Sequence, residues 1–351
     1  MPEAISKPLI TTIIPTYRRP KLLRRAIRSV LAQTYPHFQV CVYDNASRDE
    51  TPSVVDEMAR TDCRIKYYCH PENIGGLKNF IYGMEGVETP FFSMFSDDDV
   101  LLPDFYQTAL AGFEKYPEAM LSVLVTIQTD DRGRVLGAPV RKWPPGLNRP
   151  PEGLLAMLRY GHPEWTSVLF RREVLEMVGG LDEETGGPAD LDFELRAAAR
   201  FPLVVTLQPG AIFVGHRGSD SNAAGFDWVW PGWLKMVRNL TEDERIPDEV
   251  RTLAGRVLTN RLKKRLFVNA GFGSLAQRNW PDALRAADVL SHHYRQNFRA
   301  RLLRIATGVC RHLPLAYYLL RVSFTLRRSL RRLKSKQLPK EYTTFIPQLK
   351  L

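Results

Sequence analysis

LITTIIPTYRRPKLLRRAIRSVLAQ, residues 9–33, is the stretch from which the fold can be read. Its first part, LITTIIPTY, is a β-branched apolar run, the pattern of a strand buried on both faces. Its second part sets Leu22, Leu23, Ala26, Ile27, Val30 and Leu31 on one side of a helix, with Pro20 suited to the first turn. The same alternation then recurs. QVCVYDNAS (39–47), IKYYCHP (65–71) and FFSMFS (91–96) read as strands, and SRDETPSVVDEMAR (47–60) and GGLKNFIYGMEGV (75–87) as helices. Thr51 is the expected N-cap of the second helix, with Pro52 at its first position. Strand and helix in alternation, joined by short loops, predict a largely parallel sheet covered by helices on both faces.

After Pro103 the pattern gives a helix (105–116), a strand (120–130) and a Pro/Gly-rich stretch, GAPVRKWPPGLNRPPEG (137–153), read as a linker or a mobile loop over a site. TSVLFRREVLEMVGGLDEE (166–184) reads as strand, helix and turn, DLDFELRAAARF (190–201) as a helix, and LVVTLQPGAIFVGH (203–216) as a strand pair. From about residue 225 the pattern is helical throughout. Two domains are expected, 1–222 and 223–351, the second helical and basic.

Composition supports an ordinary globular chain: 351 residues, 44% hydrophobic and 25% charged. Charge is unevenly placed. Residues 251–351 hold 22 Lys/Arg and 3 Asp/Glu, a balance of +19 within a total of +11, so residues 1–250 are mildly acidic. A basic third of this kind seeks phosphates of lipid headgroups or nucleic acid. Between residues 315 and 333, Leu315, Leu319, Val322, Leu326, Leu330 and Leu333 recur at helical spacing, interleaved with Arg321, Arg327, Arg328, Arg331 and Arg332. That fits a helix lying on an anionic bilayer, and equally a helix packed on its own domain. Nothing resembles a zinc finger or an RNA-binding motif, so a nucleic-acid partner is not expected. Four cysteines without a CxxC pair, no signal sequence and no run of 18 apolar residues point to the cytoplasm, with the inner membrane face as a peripheral location.

Ligands of open parallel sheets bind at the carboxyl ends of the strands. Pro15, Thr16 and Tyr17 follow the first strand, Asp44 and Asn45 the second, Asn73 the third, and Asp97, Asp98 and Asp99 the fourth. Taken singly, Asp44-Asn45 could be turn formers and the triplet a helix cap. With no P-loop and no dinucleotide fingerprint, phosphates would be held another way. Adjacent carboxylates at a strand end suit Mg²⁺ or Mn²⁺, which prefers a few carboxylate oxygens plus substrate phosphates, and a cation would offset the repulsion within the triplet.

IIPTYRRPKLLRRAIRSVLAQTY, VYDNASRDET, NIGGLKN, FSDDDVLLPD and VLFRREVLEMVGGLDEE, in this order over residues 8–220, resemble family 2 of the glycosyltransferases with the glycosyltransferase A fold. The resemblance implies a Rossmann-like α/β domain with a mixed, mostly parallel sheet, and metal-dependent, inverting transfer of a sugar from a nucleoside diphosphate, UDP first, to a hydroxyl of a glycan or lipid-linked glycan. It implies that Pro15, Thr16, Tyr17, Arg19, Asp44, Asn73, Gly76, Lys78, Asp97 and Asp98 bind the donor nucleotide. Asp99 would bind the metal, although Ser96 stands where many relatives carry a further Asp; His216, ending a strand before a Gly/Ser-rich loop, is placed to complete the metal shell or contact a diphosphate, or is a structural histidine. Ala189-Asp190 falls where relatives show a Glu-Asp pair, which makes Asp190 the expected base and Asp192 its rival; Asp190 could equally be an N-cap. Trp165, Asp182 and Asp192 are the expected acceptor contacts, and Trp143 a loosely held one. His162, His292, His293 and His312 are read as surface or packing residues. A homodimer is compatible with all this. The alternatives are a sugar-nucleotide nucleotidyltransferase, which would carry a Gly-rich basic loop after the first strand, and a non-catalytic membrane-bound scaffold.

Overall fold

The computed structural model describes residues 8–215, 226–323 and 340–350. They form two compact units, one of residues 8–183, 193–215 and 340–350, the other of 184–192 and 226–323. Residues 184–192 group with the helical unit and residues 340–350 with the first.

The first unit begins with β1 (Ile10–Thr16), α1 (Pro20–Leu31), β2 (Phe38–Asp44), α2 (Thr51–Ala59), β3 (Ile65–Cys69), α3 (Gly76–Glu85) and β4 (Phe91–Met94). It continues with β5 (Val100–Leu101), α4 (Phe105–Lys115), β6 (Leu121–Asp130), β7 (Val135–Gly137), β8 (Gly146–Asn148), α5 (Glu152–Tyr160), β9 (Val168–Arg171), α6 (Glu173–Val178), α7 (Ala189–Arg200) and β10 (Leu203–Gly215). Residues 189–192 of α7 belong to the second unit. The sheet runs β3-β2-β1-β4-β9-β6-β10-β5, with β7 on β6 and β8 on β10. Pairs among β3, β2, β1 and β4 are parallel, as is β6 with β10, whereas β9 lies antiparallel between β4 and β6. This is the expected mixed, mostly parallel sheet flanked by helices.

Every residue of β1 is buried, as its unbroken apolar run requires, and α1 buries Leu23, Ala26, Ile27 and Val30 against the sheet while Leu22 and Leu31 sit at the margin. Gln33, just past α1, donates from Nε2 to the Leu102 carbonyl at 2.6 Å and accepts the Tyr106 amide at 3.1 Å. The clamp fixes the start of α4 against the end of α1. Gly83 lets α3 approach β1 closely, since a Cβ there would lie 2.5 Å from Cγ2 of Ile13.

Three local expectations change. Thr51 is the first residue of α2 and not its cap; its amide is held by the Asp49 carboxylate at 2.9 Å. The 137–153 stretch is packed: Trp143 is 2% exposed, and β8 pairs antiparallel with the start of β10. LVVTLQPGAIFVG (203–215) forms one strand, because register shifts around Pro209 absorb the break and pairing with β6 resumes at Ala211.

In the second unit, α8 (Phe226–Val229), α9 (Gly232–Thr241) and α10 (Asp248–Arg265) lead into a π-helical segment, Leu266–Gly273. Then follow α11 (Ser274–Ala276), α12 (Trp280–Asp288), a second π-helical turn and α13 (Asn297–His312), with residues 314–323 helical beyond it. Leu258, Leu262, Leu266, Ala286, Leu290 and Leu303 are fully buried there. Gly271 brings the π segment onto Leu303, since a Cβ would meet Cδ2 at 2.6 Å. No described helix is long and apolar enough to cross a membrane. Leu326, Leu330, Leu333 and the arginines among them lie outside the described residues.

Candidate active site

The loops after β1, β2 and β4 meet at the carboxyl edge of the sheet because the parallel pairs β2–β1–β4 place those strand ends side by side. The β1 loop turns sharply, with Arg18 at φ +53, and the β2 loop does so twice, at Ala46 (φ +57) and Arg48 (φ +53). Such left-handed backbone at non-glycine residues is costly and concentrates at functional loops. The Arg18 amide and Nε bond to Ser47, and the Asn45 amide to the Thr16 carbonyl, so the two loops are tied together.

Asp97, Asp98 and Asp99 lie in the turn between β4 and β5, all three buried. Asp97 accepts from the Thr16 hydroxyl at 2.8 Å and from Nη1 of Arg19 at 3.1 Å. The same Nη1 reaches Asp98 at 3.2 Å. From α1, Arg25 donates to the Asp98 carbonyl. Asp99 faces inward, accepting from the Thr166 hydroxyl at 2.6 Å and the Val214 amide at 3.0 Å. Burial, then the neighbouring Asp98 charge, push the Asp97 carboxyl up to about 6, against the pull of Arg19 and Thr16. The same two causes hold the Asp99 carboxyl well above the usual carboxylate range. Arg25 is correspondingly pulled down by burial, which outweighs the attraction of Asp99 and Asp98. The repulsion that suggested a metal is thus met in part by two arginines.

Among the described residues no three His, Cys, Asp or Glu side chains converge as a ready-made metal cage. A hard divalent cation shared with a diphosphate needs fewer ligands, one or two carboxylates with substrate and water completing the shell. Asp97 and Asp98 fit that requirement, since one positive nitrogen of Arg19 stands between them where a cation would be held. Asp99, the expected metal ligand, accepts one protein hydrogen bond on each oxygen, and these brace the turn against the Thr166 segment and β10. His216 lies outside the described residues.

Asp44 is fully buried at the end of β2. Its Oδ1 accepts the Ser47 amide at 2.9 Å and its Oδ2 the Tyr67 hydroxyl at 2.6 Å, so it shapes the β2 loop from within. Asn45 donates to Asn73 at 2.9 Å and accepts the Ile74 amide at 2.8 Å, which fastens the loop before α3 to the same edge. Pro15 is buried and Tyr17 is 37% exposed, with the Arg18 guanidinium over its ring. Gly76 opens α3 on the surface. Lys78 pairs with Glu183 at 3.1 Å, and both side chains are more than half exposed.

Trp165 precedes β9 and packs on Phe80 with ring centroids 4.4 Å apart. Its neighbour Thr166 reaches Asp99, which ties the tryptophan to the triplet turn. Trp143, by contrast, is buried within the first unit. Asp182 is half-buried in the turn after α6. His162, expected to be a bland packing residue, lies 3.3 Å from the fully buried Glu194 and 4.0 Å from Glu164, a residue at φ +65. In the second unit, Asp190 is half-buried in the first turn of α7, its Oδ1 accepting the Leu191 amide at 2.7 Å. Asp192 is fully buried and accepts from Asn239 at 3.0 Å. Asp190 therefore keeps the more open carboxylate.

Arg25, Tyr67, Ser47 and Thr166 are absent from the sequence-based list. Arg25 reads there as one more arginine on a polar helix face beside Arg24, and Thr166 as an ordinary pre-strand residue. Their long-range partners are 23 to 73 residues away, at a separation no local pattern encodes.

Comparison with known proteins bears on this arrangement. Residues 11–179 match the family described as Glycosyl transferase family 2. The O-antigen biosynthesis protein RfbC of Myxococcus xanthus is 30% identical over 237 residues, covering 62% of this chain and 18% of that protein. The chain spans between 18% and 63% of the length of the first curated relatives it matches. Among solved structures, S. aureus TarS 1–349 in complex with UDP-GlcNAc superposes with a TM-score of 0.62 at 17% identity, covering 90% of this chain and 91% of that one. The mannosyltransferase PcManGT from Pyrobaculum calidifontis, in complex with GDP-Man and Mn²⁺, gives a TM-score of 0.52 at 17% identity, covering 94% and 88%. At these identities the two structures speak for the fold alone.

Proposed function

The chain belongs to glycosyl transferase family 2, and on that premise we propose that it is an inverting glycosyltransferase moving a sugar from a nucleoside diphosphate to a hydroxyl of a cell-envelope glycan or lipid-linked glycan. One observation carries the reading: Asp97 and Asp98 converge on a single cationic nitrogen at the carboxyl edge of the sheet, beside the loops that follow β1 and β2. That is a site for a diphosphate with its counter-cation. UDP is the first donor to test, in keeping with the sugar nucleotide of the TarS complex; the GDP-Man of PcManGT makes GDP the second.

In this reading Tyr17, with Arg18 over its ring, and the loops after β2 and β3 receive the nucleoside, and Asp44 with Asn45 and Asn73 keeps those loops in shape. Arg19 exchanges part of its carboxylate pairing for the diphosphate, where a planar two-pronged donor suits phosphate oxygens. Asp97 and Asp98 would hold Mg²⁺ or Mn²⁺, which would supply positive charge to offset that developing on the leaving group. Asp190 takes the proton from the acceptor hydroxyl as its oxygen bonds to the anomeric carbon, and the bond to the diphosphate breaks on the opposite face. Trp165, braced by Phe80, offers an apolar wall to a sugar ring.

Titration with UDP, GDP, dTDP and nucleoside triphosphates, with and without Mn²⁺, followed by thermal shift, tests this. Stabilisation by a diphosphate that needs the cation supports the transferase. A triphosphate preference would favour a nucleotidyltransferase, and indifference to every nucleotide would leave a non-catalytic scaffold.

A further inference from the structure

The second unit carries an apolar face that no described residue covers. On α13, Ala300, Leu303, Thr307 and Cys310 are buried, forming the inner side of the helix. At 100° per residue, Phe298, Leu302, Ile305 and Val309 fall together on the opposite side. They are 81%, 41%, 53% and 40% exposed, and Phe298 stands almost wholly in solvent. The exposed face continues beyond the helix end through Leu315, Tyr318 and Leu319, each at least 59% exposed. Single exposed apolar residues are ordinary, but a continuous stripe over two helical segments is not.

The charge around the stripe selects what covers it. Arg295 and Arg299 flank one side and Arg301 and Arg304 the other, Arg304 paired with Asp288 at 2.7 Å, with Arg311 and Arg321 further along. No Asp or Glu occurs between Asp288 and Glu341. A second copy docking through this face would set two basic surfaces against each other with no acid on the stripe to pair them. A nucleic acid would meet aliphatic side chains where it needs donors and stacking planes. An anionic bilayer answers both features, taking the apolar side chains among its acyl chains and the arginines at its headgroups.

We propose that α13 and the helical segment after it lie in the surface of an anionic membrane, with Phe298, Leu302, Ile305 and Val309 inserted. The contact is placed by exposure of a described helix, upstream of the 315–333 segment that the sequence pattern alone suggests. It rests on no part of the active-site reading.

Co-sedimentation of the full chain with phosphatidylcholine vesicles, with and without phosphatidylglycerol, tests it. The protein should bind only the anionic vesicles, and Phe298→Asp/Ile305→Asp should weaken that binding roughly tenfold or more. Both side chains are solvent-facing, so the melting temperature and cation-dependent nucleotide binding should not change. Should the double variant fold poorly, Phe298→Ser alone replaces it. Undiminished vesicle binding by the variants, equal binding to neutral vesicles, or a dimer that the substitutions split while vesicle binding persists would each overturn the proposal.

Discussion

Asp99 gives its two oxygens to Thr166 and the Val214 amide, whereas Asp97 and Asp98 share Arg19, so identical residues in sequence carry different duties. Asp99→Ala leaves two buried donors without an acceptor and should cost about 1–3 kcal/mol each way of accounting, seen as a lowered melting temperature. Asp98→Ala should instead abolish cation-dependent stabilisation by a nucleoside diphosphate and melt above Asp99→Ala. If Asp99→Ala melts like wild type while losing cation dependence, the roles are reversed. Asp97 adds a pH signature. Its carboxyl is held at about 6 in the fold against an ordinary 3.8, so the folded state keeps a proton that the unfolded chain releases over that range. The ionisation penalty is absent below the lower value and complete above the higher. Asp97→Asn should therefore gain stability on the cation-free wild type at pH 7.5, by at most about 3 kcal/mol, and lose that advantage as pH falls through 6 towards 4. Melting curves of both proteins at pH 4.5 and 7.5 decide the matter; a gap that widens on acidification contradicts it.

At the scale of elements, the site depends on how closely helices reach the sheet. Gly83→Ala pushes a methyl into Ile13 on β1, the strand whose end carries Thr16. Overpacking of this kind costs about 1–3 kcal/mol, so the variant should melt lower and release Thr16 from Asp97. Gln33→Ala removes both bonds of the clamp between α1 and α4, with a similar expected loss in denaturant titration. A melting temperature unchanged in either variant would show that the helix adjusts without strain. These elements were legible in the sequence because burial on both faces leaves an unbroken apolar run and a covering helix leaves a 3.6-residue stripe. Shorter pieces were not. β8 spans only Gly146–Asn148, and the bulge at Pro209 resembles a turn until β6 is seen to pair on either side of it.

For the whole molecule, the central expectation is linkage between nucleotide and cation. A diphosphate with Mn²⁺ at 100 times its dissociation constant should add about 2.7 kcal/mol to unfolding, and neither component alone should approach that. Calorimetric titration measures the coupling directly. The sequence by itself determined the strand–helix alternation, the family, and the edge of the sheet where charged residues gather, because each is written in local periodicity or in short motifs. Only the tertiary structure decided which groups each acid meets. Arg19 in the loop after β1, Arg25 on α1, Thr166 before β9 and the Val214 amide on β10 come from separate elements, and their convergence on one turn exists only once the sheet order is set. The same holds for the stripe on α13: four apolar residues at helical spacing describe a buried face as well as an exposed one, and packing of the opposite side against the second unit's core settled which it is.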